Sequence, residues 1–378
     1  MTKFVLRGSP PFTEHDYLSR ISRVVGQAVE AGLDGLLVAP GPDLLWLTGY
    51  QPIPADRRRT MLILRPGTRP ALLVPEGAEA GAAMAPGASC YGIVQWTDDT
   101  DAYRVIGQLV PAGGRYGISD ATWSAHLLGV QAAVARSTYW ALGEVLPLLR
   151  AVKDDNEVDC LRMAGAAADA AYREITGVRF TGRREKEVAA GLADLLREFG
   201  HERADVAVVA SGPNGARPRH EPGEREFVPG DVVVLRFGGV LCGYRSHTTR
   251  TVVVGESSAE ARVIHDVVRA AQQAAFETVA PGVACEELDR VARSVVDEAG
   301  YGEWAGHRSG HGIGVTADEP PCLVRGERQP LVPGMCLSIG LGICLPDRFG
   351  VRIEDVVAVT EYGGERLNTT NRGLLVVR

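Results

Sequence analysis

The clearest pattern in the chain is a pair of apolar, β-branched runs within residues 230–255, GDVVVLRFGGVLCGYRSHTTRTVVVG. Runs of this kind between glycines predict a buried antiparallel pair of strands, here with a turn through Gly238 and Gly239. Arg236 ends the first run and His247 opens the second. A charge is rarely buried in a sheet without a partner or ligand, so these two residues mark a candidate site. An arginine that reaches solvent from a strand end would explain Arg236 equally well.

The first 149 residues alternate helical and strand patterns. Apolar side chains at helical spacing predict a helix over 14–31, and a short helix follows at 42–49. Apolar runs bounded by glycine or proline predict strands at 35–39, 61–65, 71–75 and 116–118. This alternation is typical of a mixed sheet covered by helices, so we predict an α/β domain over residues 1–149.

A polar stretch, RAVKDDNE at residues 150–157, separates that domain from the rest of the chain. It leads into a long helix, which we predict over 155–177. Because 378 residues exceed what one ordinary core accommodates, we place the boundary here. The second domain is then predicted over residues 150–378.

The second domain contains an internal repeat. The segments 182–200 and 282–300 have the same length, begin and end with glycine, and place two glutamates and several apolar residues in register. Each follows a longer helical pattern and precedes a short apolar strand that reaches Ser-Gly. Two unrelated amphipathic helices would share the apolar spacing but not the glycines and glutamates. We therefore predict a duplicated α/β half, with a site between the two halves.

Composition narrows the class of protein. With 45% apolar and 23% charged residues the chain has a globular make-up, and its net charge of -7 argues against a nucleic-acid partner. The first residues, MTKFVLRGSPPF, lack the apolar core of a signal peptide, and no apolar run of about 18 residues suggests a membrane partner. Seven scattered cysteines without a CxxC pair are typical of reduced thiols in a cytoplasmic protein.

Polar side chains that suit catalysis occur in four stretches. These are Arg219–His220, the segment from Arg236 through Tyr244 to His247, the segment from His307 through His311 to Asp318, and the strand with Arg352 and Glu354. Each has an ordinary explanation too: a lone histidine is usually a satisfied core or surface residue, and two charges two apart on a strand can simply pair. We infer a site from their sum, since most of them flank glycines at strand ends.

These residues resemble a known family. The sequences GHGIG at 310–314 with EPP at 319–321, TRT at 249–251 and VRIED at 351–355 are similar to the pita-bread (M24-type) superfamily. That superfamily comprises aminopeptidase P, prolidase, methionine aminopeptidase and creatinase. The resemblance covers nearly the whole chain. It implies a creatinase-like N-terminal domain, a C-terminal pita-bread domain with a pseudo-twofold duplication, and a homodimer.

The resemblance also exposes a departure from the family. Its peptidases bind two metal ions through two aspartates, a histidine and two glutamates, and these positions fall at Arg236, His247, His311, Gly340 and Glu354. Only the histidine and the last glutamate are retained. Two divalent ions need bridging carboxylates to balance about four positive charges, and an arginine cannot become a ligand. We therefore expect neither a metal nor another cofactor, with a single ion on His247, His311 and Glu354 as the alternative.

The leading hypothesis is a metal-independent enzyme that acts on a small anionic substrate similar to an amino acid. By resemblance to creatinase, a metal-free member, the reaction would be hydrolysis of a C–N bond. We assign acid–base roles to His247, His311, Glu354 and Asp318. We assign substrate contacts to Arg236, Arg219, His220, Tyr244, His307 and Arg352.

Two family positions limit how far that mechanism carries over. The catalytic histidine of creatinase falls at Arg219, and the histidine of the family's VHEPP stretch falls at Asp318. Three alternatives therefore stay open: a non-hydrolytic biosynthetic enzyme on the same scaffold, a mononuclear metallopeptidase of the Xaa-Pro type, and a non-catalytic binding protein.

Overall fold

The structure is a computed structural model that describes residues 12–52 and 59–378. The N-terminal stretch in which we found no signal-peptide core lies outside these ranges, except for Phe12. Contacts divide the described chain into two compact units, and the boundary along the chain falls between Leu149 and Arg150. Among the described residues, no helix combines the length and the apolar character needed to cross a membrane.

The first unit is built on a six-stranded mixed sheet with the strand order β4-β3-β2-β1-β5-β6. Its central strand β1 is buried along its whole length and pairs antiparallel with β2 and parallel with β5. The elements are α1 (Glu14–Glu30), β1 (Gly35–Val38), α2 (Pro42–Thr48), β2 (Met61–Leu64), β3 (Ala71–Pro75), α3 (Glu79–Ala83), β4 (Gly92–Trp96), α4 (Ala102–Leu109), β5 (Arg115–Ile118), α5 (Ser124–Ala133), β6 (Thr138–Ala141) and α6 (Leu142–Val145).

The second unit is built on a ten-stranded sheet with the path β12-β11-β13-β14-β10-β8-β7, to which β9, β15 and β16 add at β8, β14 and β10. The elements are α7 (Asp155–Gly177), α8 (Glu185–Glu198), β7 (Arg203–Ser211), β8 (Val232–Leu241), β9 (Tyr244–Arg245), β10 (Thr248–Val254), α9 (Ala259–Glu277), α10 (Cys285–Glu298), β11 (Gly310–Gly312), β12 (Glu319–Leu323), β13 (Cys336–Leu345), β14 (Phe349–Thr360), β15 (Gly363–Arg366) and β16 (Leu375–Val377).

The predicted duplication is visible in the order of these elements. A long helix, a 14-residue helix and a strand follow one another twice, as α7–α8–β7 and as α9–α10–β11. The two short helices begin 100 residues apart, at Glu185 and Cys285. Both sets pack on one sheet, so the mixed α/β class predicted from the sequence is confirmed.

The turn predicted at Gly238 and Gly239 is wrong, because both glycines lie inside strand β8. The chain turns instead at Cys242 and Gly243, whose φ angles are 53° and 80°. The two strand glycines allow neighbouring backbone segments to approach β8 closely. A Cβ atom at Gly238 would lie 2.0 Å from the carbonyl oxygen of Ser246, so a side chain there would separate β8 from the segment that leads to β10.

A buried ion pair between Arg250 and Asp355 joins β10 to β14 on the far side of the sheet from Thr249 and Glu354, because neighbouring residues in a strand face opposite sides. Both members of the pair are fully buried. The Arg250 guanidinium also donates to the carbonyl oxygens of Thr249 and Glu354, both at 2.8 Å. It reaches the carbonyl of Thr370 at 2.9 Å as well. This single side chain therefore fixes the backbone on which Glu354 is mounted.

Replacing Arg250 with methionine should lower the free energy of unfolding by about 3–5 kcal/mol, because the substitution leaves the buried carboxylate of Asp355 without its main counter-ion. The matched control is Arg290→Met, which breaks an exposed pair with Glu287 on α10 and should leave the free energy of unfolding close to that of the wild type. Urea unfolding followed by circular dichroism measures both. Equal losses in the two variants would show that the buried pair does not hold the two strands.

Candidate functional site

Four neighbouring strands place one polar row across the sheet. Glu354 of β14 lies opposite Gly340 of β13 and opposite Thr249 of β10, which in turn lies opposite Arg236 of β8. Residues directly opposite one another on antiparallel strands face the same side. All four positions of the row therefore point to one face of the sheet. Arg236 is the only residue of β8 that is not fully buried.

A second row on the same face brings in the two histidines. His247 precedes Thr249 by two residues, and His311 lies opposite Ser338, which precedes Gly340 by two. The ligand atoms of His247, His311 and Glu354 all lie within 4.8 Å of one another. We call these three side chains the His–His–Glu cluster. The sequence predicted this grouping, and the structure assembles it from three residues that span positions 247 to 354 of the chain.

Hydrogen bonds hold the carboxylate of Glu354 in one orientation. Its Oε1 accepts from the hydroxyl of Ser338 at 2.8 Å, and its Oε2 accepts from the hydroxyl of Thr249 at 2.7 Å. Burial by itself would raise the pKa of Glu354. Interactions with the imidazoles of His247 and His311, with the Arg236 guanidinium and with the Thr249 hydroxyl outweigh burial and hold this pKa well below the usual range. Glu354 is therefore an ionised, oriented carboxylate.

His247 is a buried neutral imidazole. Burial lowers its pKa to about 4; Glu354 opposes this shift, while Arg236 and His311 add to it. The Nε–H group of Arg236 donates to Nε2 of His247 at 2.9 Å, so the ring proton sits on Nδ1. That Nδ1 is buried, and within the described part of the chain no acceptor lies within hydrogen-bond distance of it.

His311 keeps one ring nitrogen for the cluster. Its Nδ1 lies 3.0 Å from the carbonyl oxygen of Gly312, which can only accept, so Nδ1 bears the proton. The lone pair on Nε2 is left for a proton, an ion or a substrate. The rings of His311 and His247 lie with their centroids 6.0 Å apart.

A chain of hydrogen bonds behind His247 left no signal in the sequence. The hydroxyl of Ser246 donates to Nε2 of His201 at 2.8 Å and accepts from the backbone N–H of Gly239 at 3.1 Å. Nδ1 of His201 donates in turn to the carbonyl of Leu196 at 3.1 Å. This chain fixes the residue next to His247. His201 gives no signal in the sequence, because it follows helix α8 without any motif around it.

Two of the predicted substrate contacts bind other parts of the chain in this structure. Tyr244 is buried, and its hydroxyl donates to the carboxylate of Glu157 at 2.6 Å, which joins β9 to helix α7. His220 lies against the fully buried carboxylate of Glu185, with Nε2 2.7 Å from an oxygen. A buried carboxylate requires several donors, and His220 together with Ser211 supplies them here. Both predicted residues are therefore parts of the scaffold.

The remaining predicted residues are not members of the His–His–Glu cluster. Asp318, proposed as an acid or base, forms an ion pair with Arg308, and its side chain is 54% exposed. Arg219 and His307 are exposed, and among the described residues no hydrogen bond joins them to the cluster. Arg352 lies on strand β14 two residues before Glu354, on the same face of the sheet as predicted. Its Nη2 lies 3.4 Å from the sulfur of Cys344.

The cluster does not fit the two-ion centre of the family, but it fits one ion by number and type of ligand. Arg236 places a permanent cation where an aspartate would be needed. Gly340 offers no ligand, and a Cβ atom there would lie 2.7 Å from Cγ of Glu354, so that space is already filled. Two imidazoles and a carboxylate do form a recognised three-ligand set. An ion at Nε2 of His247 would replace the hydrogen bond from Arg236.

Comparison with protein families identifies both parts of the chain. The model described as metallopeptidase family M24 matches residues 159–361, and the creatinase/prolidase N-terminal domain matches residues 20–152. The chain belongs to metallopeptidase family M24. The resemblance drawn from its motifs is thereby confirmed.

Individual relatives agree with this assignment. The probable dipeptidase PepE of Mycobacterium tuberculosis is 37% identical over 376 residues, which cover 98% of this chain and 99% of that protein. The solved structure of dipeptidase PepE from Mycobacterium ulcerans has a TM-score of 0.91 at 35% identity and covers 97% of this chain and 99% of its own. A prolidase from Thermococcus sibiricus has a TM-score of 0.90 at 32% identity, with 96% and 99% covered.

These relatives change the weight of the functional hypotheses. They are named as dipeptidases and prolidases of a metallopeptidase family, which favours hydrolysis. They give no support to the expectation that this chain works without a metal. The single-ion alternative is therefore strengthened, while the three lost carboxylates still separate this chain from the family pattern.

The imidazole of His247 should remain neutral well below pH 6.5, the range in which an unperturbed histidine titrates. Its pKa is depressed in the folded protein, so protons favour the unfolded chain, and the free energy of unfolding should fall as the pH drops from about 6.5 towards 4. Proton–carbon NMR of chelator-treated, histidine-labelled protein measures the titration, and His247→Gln assigns the signal. A midpoint near 6.5 would contradict the buried, neutral state.

Proposed function

We propose that this chain hydrolyses a C–N bond in a small dipeptide-like substrate at the His–His–Glu cluster. The observation that supports this most is the convergence of His247, His311 and Glu354 within 4.8 Å on the face of an M24 sheet. Relatives that match nearly the full length are named dipeptidase or prolidase, which points to a short peptide or a similar amide. The partner implied is a small molecule.

We infer that this cluster binds one divalent ion and has no place for a second. His247 and His311 would contribute Nε2 and Glu354 its carboxylate. When bound there, an ion would supply Lewis-acid activation of water and of the bond that is cleaved. The neutral state of His247 and the ionised state of Glu354 are those that ligands require.

The protein's own side chains supply the rest of the chemistry. Glu354 is aligned by Ser338 and Thr249, so its orientation does not depend on a bound group. His311 has its proton fixed on Nδ1, so the lone pair on Nε2 is directed away from Gly312 and is available as a ligand. Arg236 adds positive charge beside the cluster, which would stabilise negative charge that develops on a carbonyl oxygen during hydrolysis.

A second candidate is hydrolysis without a metal, and a specific contact favours it. The hydrogen bond from Arg236 occupies the lone pair on Nε2 of His247 that an ion would need. In that case His311 and Glu354 would act as base and orienting carboxylate, and Arg236 would provide the only fixed cation of the row. Metal analysis separates the two candidates.

Equilibrium dialysis of chelator-stripped protein against Mn²⁺ or Zn²⁺ should give one bound ion per chain, and His311→Ala should abolish it, because that variant removes one of three ligands. His15→Ala, on helix α1 of the first unit, is the control and should leave binding unchanged. Full turnover with no bound ion would select the metal-free candidate. Two ions per wild-type chain would contradict both.

Hydrolysis itself is tested with a panel of dipeptides, including Xaa-Pro, in oxygen-18 water. We expect the label in the acid product, and a loss of kcat of about 100-fold or more in His311→Ala and Glu354→Gln, in line with removal of a positioned proton-transfer or charge-stabilising group. Arg290→Ala, on the surface of α10, should match the wild type. Product without label would indicate the non-hydrolytic alternative.

We also propose that residues 1–149 and 150–378 are separate domains, that the chain forms a homodimer and that it works in the cytoplasm. The first of these follows the division of contacts between Leu149 and Arg150. The second follows the family resemblance. The third is supported by seven cysteines that are all free thiols.

A further inference from the structure

The guanidinium of Arg236 is a partly buried cation without a counter-ion. Its one hydrogen bond, from Nε, goes to the neutral ring of His247. Within residues 12–52 and 59–378, no ion pair joins Arg236 to a carboxylate. The fully buried Arg250, next to the Thr249 that lies opposite Arg236, shows the usual arrangement on the other face of the sheet, with an aspartate and several carbonyl oxygens around it. Charges removed from water are normally compensated in this way, so Arg236 lacks an anion.

The nearest carboxylate of the row is already committed elsewhere. Both oxygens of Glu354 accept hydrogen bonds, from Ser338 and from Thr249. Strand β10 lies between Arg236 and Glu354, which puts their backbones two strand spacings apart, about 10 Å. Glu354 therefore serves the cluster and interacts with Arg236 only across the His247 ring, because within the described residues no hydrogen bond or ion pair joins the two side chains.

The terminal amino groups of Arg236 have the geometry that a carboxylate needs. In the described part of the chain, no side chain or carbonyl oxygen accepts a hydrogen bond from Nη1 or Nη2, whereas Nε is held by His247. This bond fixes the plane of the guanidinium and leaves its two-nitrogen edge available. Arginine binds carboxylates through that edge with two parallel hydrogen bonds.

The same face holds a second guanidinium in this condition. Arg352 lies in the neighbouring row on β14, and within the described residues the one hydrogen bond of its guanidinium goes to the sulfur of Cys344. No ion pair joins it to a carboxylate within the ranges that the structure describes. Arg236 and Arg352 thus place two guanidinium groups on the face that carries Glu354, and within the described residues neither forms an ion pair. The sign of the local field favours an anionic substrate.

We propose that Arg236 forms a carboxylate-binding subsite, and that the substrate is a dipeptide-like amide with an acidic side chain whose carboxylate contacts this guanidinium. The inference rests on the proposed function, because it places that carboxylate next to the bond that reacts at the His–His–Glu cluster. It explains why a fixed cation stands at a position where the family has an aspartate. An aspartate there would repel the substrate that Arg236 attracts.

Binding of matched neutral and acidic probes tests the subsite. N-acetylglutamate and N-acetylaspartate are titrated calorimetrically into the full-length protein, alongside N-acetylglutamine and N-acetylasparagine, which differ only in the side-chain charge. At least one acid should bind about tenfold or more tightly than its amide, as expected for a charge-assisted pair. This preference should weaken as salt is raised. Equal binding of both acids and their amides would overturn the proposal.

Variants assign the preference to one side chain. Arg236→Gln should remove the preference for the acid, Arg236→Lys should retain part of it, and Arg290→Gln, an exposed arginine of α10, should retain all of it. Retention of the full preference in Arg236→Gln would overturn the assignment. Should Arg236→Gln fail to fold, the probe comparison and its salt dependence in the wild type still decide whether the subsite exists.

The design also separates this inference from the proposed function. Binding is measured without turnover, so His311→Ala should lose hydrolysis and keep the preference for the acid. A preference for acids without hydrolysis of any dipeptide would support the subsite and contradict the hydrolase. Hydrolysis of neutral dipeptides without that preference would support the hydrolase and contradict the subsite.

Discussion

The hydrogen bond between the Arg236 guanidinium and the His247 ring organises the whole centre. Because the donor is permanently charged, it sets the tautomer of His247 and keeps its ring neutral together with burial. It also makes Arg236 a fixed, oriented cation on the face that carries Glu354, whose carboxylate accepts hydrogen bonds from Thr249 and Ser338. The proposed chemistry of the site depends on the resulting combination of a fixed cation, a neutral imidazole and an ionised carboxylate.

That balance is possible only because the scaffold beneath it is rigid. Arg250 and Asp355 bind the backbone of two central strands from the opposite side of the sheet, and Gly238 lets the segment before β10 approach to contact distance. The Ser246–His201 pair then fixes the residue beside His247. The cluster is thus held by packing and hydrogen bonds behind it, so its geometry does not depend on a bound ion.

Much of the architecture was predictable, because regular elements leave local patterns. Helix α7 runs over 155–177 as its apolar spacing predicted, and the repeat of α8 and α10 was visible in glycines and glutamates in register. Strands β4 and β6 were missed. Both lie at the edges of the first sheet and are partly exposed, so they lack a continuous apolar run.

The site was predictable in part, for a different reason. Residue types and motif spacing identified the cluster, but strand register is a tertiary property. Only the fold shows that Glu354 covers Gly340, or that the hydroxyls of Thr249 and Ser338 orient it. Tyr244 is a residue type that often occurs in active sites. Here it is a core residue, because helix α7 packs against it and Glu157 accepts its hydroxyl hydrogen bond.

The duplication of the second unit means that the two halves of the sheet have diverged in chemical character. The first half, through β8 and the start of β10, contributes the cation and the neutral imidazole of His247. The second half, through β11 and β14, contributes His311 and the carboxylate of Glu354. Neither half contains a working set by itself. The candidate site therefore belongs to the boundary between the halves, where Glu354 shares one face with a guanidinium from each of them, Arg236 on β8 and Arg352 on β14.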